Sequence, residues 1–195
     1  PADEPEGAPR SAPAGASGDG TTSQPPVSGK PIWWVRVRGM VRSVRPHQWI
    51  KNLFVLAPVV FDKHLTHPSI IKSAIGAFVV FCLLAGSIYT INDLLDVEAD
   101  RVHPVKRKRP IASGDVPVPL AKGMVAVLLF VSLGGALLGP WEFFAVAMGY
   151  LVLQSAYSLR LKRIAYLDVG WIALGFVLRV LAGVFSTRTP ISGYM

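Results

Sequence analysis

The sequence predicts an all-α fold, a polytopic transmembrane helical bundle of about five spans. Three observations predict it. Of 195 residues, 51% are hydrophobic and 16% are charged, where a soluble domain carries about 25% charged residues; the mean hydropathy is +0.43. Apolar runs of bilayer length recur along the chain. Lys and Arg gather on alternate connections, the pattern of basic cytoplasmic loops. A formal net charge of +8 in so apolar a chain points to membrane-flanking loops and phosphate ligands, not to nucleic acid. One cysteine, Cys82, excludes an internal disulfide, and four scattered histidines form no zinc pattern.

Residues 1–30 are rich in Pro, Ala, Gly and Ser and lack any aromatic residue. Such a segment cannot bury enough surface to offset its chain entropy, so a disordered tail is expected. It has no apolar core of a signal peptide, and it starts without Met, so the natural start is expected upstream. Residues 31–45 place Trp33, Trp34, Val37, Met40, Val41 and Val44 within about 120° of a helical wheel. Arg36, Arg38, Arg42 and Arg45 lie outside that arc. This predicts an amphipathic helix lying on an anionic membrane face.

The bundle is expected over 46–195. Runs 70–91, 118–139, 141–159 and 164–185 are each about 20 residues, enough for a spanning helix. Gly139-Pro140 separates the second from the third. A fifth, weaker span is expected over 46–66, where the apolar stretch 53–61 is short. The basic residues of 36–51, 101–109 and 160–163 fall on one side, which the positive-inside rule makes cytoplasmic. Asp168 and Arg179 share a face of the run 164–185 but lie about 16 Å apart axially, so each needs another partner or a wet cavity. Cys82 reads as core, and His64 and His67 as surface residues.

The chemistry-bearing signal is Asn92-Asp-Leu-Leu-Asp-Val-Glu-Ala-Asp100, at the cytoplasmic end of its span. In a continuous helix Asn92, Asp93, Asp96 and Asp100 fall within about 100° of one face, over about 12 Å. Clustered carboxylates repel unless a cation sits among them. Hard oxygen donors suit Mg²⁺, which bridges carboxylates to substrate phosphates; the other reading is a solvated acidic helix end. The basic loop that follows, with Lys106 and Arg109, is a candidate clamp for a diphosphate beside that cluster, Arg109 above all; taken alone, the run Lys106–Arg109 is a topology signal or a lipid head-group contact. Arg45, Lys51 and Asn52 open the first span on the same side and are candidate phosphate-binding residues. Lys51 reaches a phosphate or snorkels to the head groups. Tyr157 and Lys162 end the fourth span there, as pocket residues or as an ordinary interfacial belt.

Asn92–Asp100 resembles the N-D-x-x-D-x-x-x-D motif of the UbiA superfamily of intramembrane prenyltransferases. RPHQWIKN (45–52), NDLLDVEADRVHPVKRKRPIASG (92–114) and AYSLRLKRIAYLDVGWIALGFVLRVLAG (156–183) are similar to its actinobacterial branch, which transfers phosphoribose to decaprenyl phosphate. The resemblance implies a bundle of nine membrane helices around a cavity open to lipid, of which this sequence resembles the first half. It implies 5-phosphoribosyl 1-diphosphate as donor, a polyprenyl phosphate as acceptor, and a product for cell-wall arabinan synthesis. It implies Mg²⁺ on Asp93, Asp96 and Asp100, with Asn92 orienting the diphosphate and Arg109, Lys51 and Lys162 offsetting phosphate charge. The activity is expected of the complete protein. Two other classes stay open: an aromatic prenyltransferase of the same superfamily, and a non-enzymatic half-bundle or small transporter. A homo-oligomer is also open.

Overall fold

The structure, a computed structural model, describes residues 31–61, 67–159 and 167–188. The described residues contain helices and no strand. Helix α1 spans Ile32–Val44, and a 3₁₀ segment Pro46–Leu56 leads into α2, Ala57–Phe61. Helix α3 spans Pro68–Leu95 and α4 Val97–Val102. A short 3₁₀ turn, Lys106–Lys108, precedes α5 (Val118–Leu137), α6 (Trp141–Leu159) and α7 (Leu167–Thr187).

Helix α3 is the centre of the bundle. In its most apolar window 61% is buried, against 17% for α5 and 22% for α7, so those two turn most of their surface outward. Phe81 and Leu84 of α3 are fully buried, and Phe81 packs on Tyr150 of α6 with ring centres 5.2 Å apart. Helix α5 ends at Leu137 and α6 starts at Trp141, around the expected Gly139-Pro140 break.

Among the described residues three helices are long and apolar enough to cross a membrane: Pro68–Leu95, Val118–Leu137 and Val169–Thr187. The other two expected spans differ. Helix α6 has 19 residues, but Glu142 and Gln154 dilute its apolar character. The first span is not one α-helix. Its 11 residues of 3₁₀ helix rise about 2.0 Å each, so with α2 it extends about 30 Å despite its short apolar stretch. The 3₁₀ period of three sets one inward stripe. Asn52 and Val55 are buried, Trp49 and Pro58 half-buried, and Ile50, Leu53 and Phe54 exposed. Helix α7 approaches this stripe so closely that a Cβ at Gly183 would fall on the Val55 carbonyl oxygen.

Arg179 fastens the stripe to the bundle. It is 5% exposed and donates to three elements. Nε reaches Asn52 Oδ1 at 2.8 Å, Nη2 the Tyr150 hydroxyl at 2.7 Å, and Nη1 the Gly175 carbonyl at 2.9 Å. Its guanidinium also lies 4.9 Å from the Tyr150 ring centre. The partner expected for this charge is therefore a set of neutral acceptors and an aromatic face. The side chain of Asp168 lies outside the described residues, as does His64; residues 1–30 lie outside them too.

Helix α1 docks through its small side chains. Gly39 and Ser43 are its buried residues, and a Cβ at Gly39 would stand 2.6 Å from Val116 Cγ2. Ile32, Trp33, Val37 and Val41 are exposed, at 71%, 63%, 41% and 54%. The apolar arc read from the sequence thus faces away from the bundle, except at Met40, which packs on the cluster of Ile111, Val116 and Ala121, and at Val44, which lies against Gly86 of α3.

Candidate functional site

The acidic motif lies at one end of α3, and its helix is interrupted. Asp96 adopts φ −94°, ψ 6° between α3 and α4, although Asp96 N–H still donates to Asn92 O at 3.0 Å and Asp100 N–H to Asp96 O at 2.8 Å. Asp93 and Asp100 are buried, at 2% exposure each, and Asp96 is half-buried. Asn92 faces α6, where Ser158 Oγ donates to its Oδ1.

A second apolar cluster fixes the basic loop. Ile111, Val116 and Ala121 are buried against Met40, Leu94, Val97 and Val118. Gly114 takes φ 86°, a value that suits glycine, and Val116 N–H donates to Pro110 O at 2.9 Å. At the other end of the loop His103 Nδ1 accepts from Val105 and Lys106 N–H, at 3.2 and 3.3 Å. Held between these anchors, Arg109 Nη1 lies 2.7 Å from Asp100 Oδ2 and 3.2 Å from Asp93 Oδ1.

Arg45 comes from the other side. It joins α1 to the 3₁₀ segment with φ 53°, ψ 63°, a left-handed conformation that costs a non-glycine residue about 1–2 kcal/mol. Two contacts hold it there. Its Nη2 lies 2.6 Å from Asp93 Oδ1, and its guanidinium 5.0 Å from the Tyr89 ring centre.

These groups border a cavity of about 560 Å³ lined by Arg42, Arg45, Lys106, Lys108, Arg109 and Asp93 among others. Five cations face one carboxylate there, which is the electrostatics of an anion site. Arg42, Lys108 and the lining residue His47 were not singled out from the sequence. Arg42 belonged to the basic face of α1, and Lys108 to a run that read as a topology signal. The remaining expected site residues fall elsewhere. Lys51 is exposed and outside the lining, Asn52 is buried against Arg179 and Cys82, and Tyr157 lies against Trp171 at 6.1 Å. Lys162 lies outside the described residues.

The expected four-oxygen metal set takes a different form. Among the described residues no group of three or more acidic, His or Cys side chains is arranged to hold a metal ion. Two buried carboxylates need positive charge, and Arg109 supplies it from between them. The donor chemistry still fits a hard divalent cation. Carboxylates of two successive helices, Asp93 and Asp100, converge on one cationic group, and Asp93 also borders the cavity.

A sequence profile of the UbiA prenyltransferase family matches residues 54–194. The chain is 42% identical over 163 residues to the decaprenyl-phosphate phosphoribosyltransferase of Mycolicibacterium smegmatis, covering 80% of this chain and 50% of that protein. With the Corynebacterium glutamicum enzyme of the same name it shares 43% over 150 residues, 74% of this chain and 45% of that one. The chain thus spans about half the length of the curated relatives it matches. In fold it is similar to a UbiA homolog from Archaeoglobus fulgidus whose structure was solved bound to DMAPP and Mg²⁺. The TM-score is 0.65 at 24% identity, covering 80% of this chain and 56% of that one. With the profile over most of its length, relatives above 40% identity and the same helical architecture, the chain belongs to the UbiA prenyltransferase family.

Proposed function

We propose that this chain forms the diphosphate-binding part of a membrane transferase that moves 5-phosphoribose from 5-phosphoribosyl 1-diphosphate to a polyprenyl phosphate. The observation that carries the reading is the cavity lined by Asp93 and five cations, two of which, Arg45 and Arg109, bind that carboxylate. Relatives above 40% identity, named for phosphoribosyl transfer to decaprenyl phosphate, support the choice of donor and acceptor. A membrane location supports a lipid acceptor, and the basic end is proposed to face the cytoplasm of a plasma membrane.

In this reading an oxygen of the lipid phosphate attacks ribose C1, the bond from C1 to the diphosphate oxygen breaks, and diphosphate leaves. No protein nucleophile is needed. Arg42, Arg45, Lys106 and Lys108 neutralise the donor's phosphates and stabilise charge that grows on the leaving group. Arg109 adds a planar fork suited to two phosphate oxygens. Asp93, Asp96, Asp100 and Asn92 would hold Mg²⁺, which supplies charge neutralisation to the leaving diphosphate. The two buried carboxylates keep the arginines beside the cavity, and the anchored 109–116 loop holds the Arg109 backbone in place.

Membranes carrying the protein, given labelled donor, decaprenyl phosphate and Mg²⁺, should move label into lipid. EDTA and Asp93→Asn should each abolish the transfer. Transfer from a prenyl diphosphate to an aromatic acceptor instead, in membranes where the protein is inserted, would overturn the phosphoribosyl reading in favour of the aromatic prenyltransferase.

A further inference from the structure

Arg109 occupies the position shared by two buried carboxylates, and it also borders an open cationic cavity. Its side chain is 29% exposed, whereas both aspartates are at 2%. Arg45, 26% exposed, binds the same Asp93 oxygen. The two arginines are fastened differently. Arg45 is fixed by its turn and by the Tyr89 ring. Arg109 follows a three-residue 3₁₀ turn in extended backbone, φ −67°, ψ 143°, and its charge is held by Asp93 and Asp100.

We propose that Arg109 is an exchangeable counter-cation: it closes the Asp93–Asp100 pair before substrate binds, then turns to a phosphate of the incoming diphosphate as a divalent cation takes the carboxylates. The proposal rests on the diphosphate-transfer reading. Its reason is electrostatic. A dication and a guanidinium repel across the same two oxygens, and in a partly buried site water screens that repulsion weakly. A cation entering alone must drive Arg109 into a cavity already crowded with positive charge. A diphosphate supplies the anion that Arg109 needs, with bidentate geometry. Arg109 therefore makes metal entry conditional on diphosphate, and it is a positioning residue for the carboxylates before it is a phosphate ligand.

The test is Mn²⁺ binding by electron paramagnetic resonance to the whole chain in lipid nanodiscs, without diphosphate. Arg109→Gln should bind Mn²⁺ about tenfold tighter than the unaltered protein, the scale of an ordinary coupling between sites. Methylenediphosphonate should tighten the unaltered protein and shrink that difference. An Arg109→Gln protein that binds Mn²⁺ no tighter than the unaltered one, while Asp93→Asn abolishes binding, overturns the exchange and leaves the metal reading standing. Mn²⁺ binding that is absent throughout, or indifferent to Asp93→Asn, overturns both. A second reading uses the unaltered protein alone. Phenylglyoxal labelling of Arg109, read by mass spectrometry, should rise with Mn²⁺ and fall again when methylenediphosphonate is added. Labelling that Mn²⁺ at saturation leaves unchanged also overturns the exchange.

Discussion

At Asp93 two guanidinium groups meet one carboxylate oxygen. Two unit charges 4 Å apart interact by about 4 kcal/mol at the effective dielectric of a partly solvated site, so this oxygen strongly orders its surroundings. Asp93→Asn removes the charge and keeps the shape. It should lower unfolding stability by about 1–3 kcal/mol, measured by thermal melting in detergent, beside its effect on transfer. Arg179 makes a sharper case because its partners are neutral and fully enclosed. Arg179→Ala strands the Asn52 amide and the Tyr150 hydroxyl, and a loss of about 3 kcal/mol is expected in the same melt. Arg179→Lys should recover little, since one ammonium cannot reach three elements in the fork geometry. The aspartates were legible in the sequence because their spacing is local. Their partners were not, because Arg45 and Asp93 are 48 residues apart and no periodicity links them. Asn52 was read as a phosphate ligand from its place in a polar stretch; the structure points it inward to an arginine 127 residues away.

The 3₁₀ segment is the element that departs furthest from an α-helical span. Counted with an α period, residues 46–66 offer too short an apolar stretch. Counted in threes, Asn52 and Val55 form one buried line, with Trp49 and Pro58 half-buried along it. The sequence carries that spacing, but an isolated run of three-residue repeats has no preference strong enough to outweigh the commoner helix. The neighbouring α7 selects it through Gly183. Gly183→Val should force α7 off the Val55 carbonyl and cost about 1–3 kcal/mol, as overpacking does. Gly123→Ala in α5 is the control. Nothing lies within 4 Å of its Cβ, so the melt should stay level or rise by about 0.5–1 kcal/mol. A drop at Gly123 equal to that at Gly183 would remove the close-approach argument. Three of the long apolar runs, those of α3, α5 and α7, were legible because hydropathy over about 20 residues outweighs local detail. The outward turn of α1 was legible as an amphipathic pattern, but its docking through Gly39 and Ser43 was not, because small residues carry no hydropathy signal.

Across the whole molecule, charge and apolarity are segregated. Five cations line the cavity at one end of α3, and the flanks of α5 and α7 expose Phe130, Val127, Val169 and Ile172. Such a surface is stable only against lipid or further protein, so alkaline carbonate should leave the protein in the membrane pellet. Recovery in the supernatant would contradict a spanning bundle. Arg179 has a consequence for how this bundle is made. A hydrophobic segment with arginine near its middle enters a bilayer reluctantly, at a penalty of about 2.5–3.5 kcal/mol on insertion scales. Asn52 and Tyr150, its acceptors from other elements, both precede α7 in the chain. Synthesis from the N-terminus therefore delivers those acceptors before the donor, and α7 arrives at a membrane where its charge already has somewhere to go.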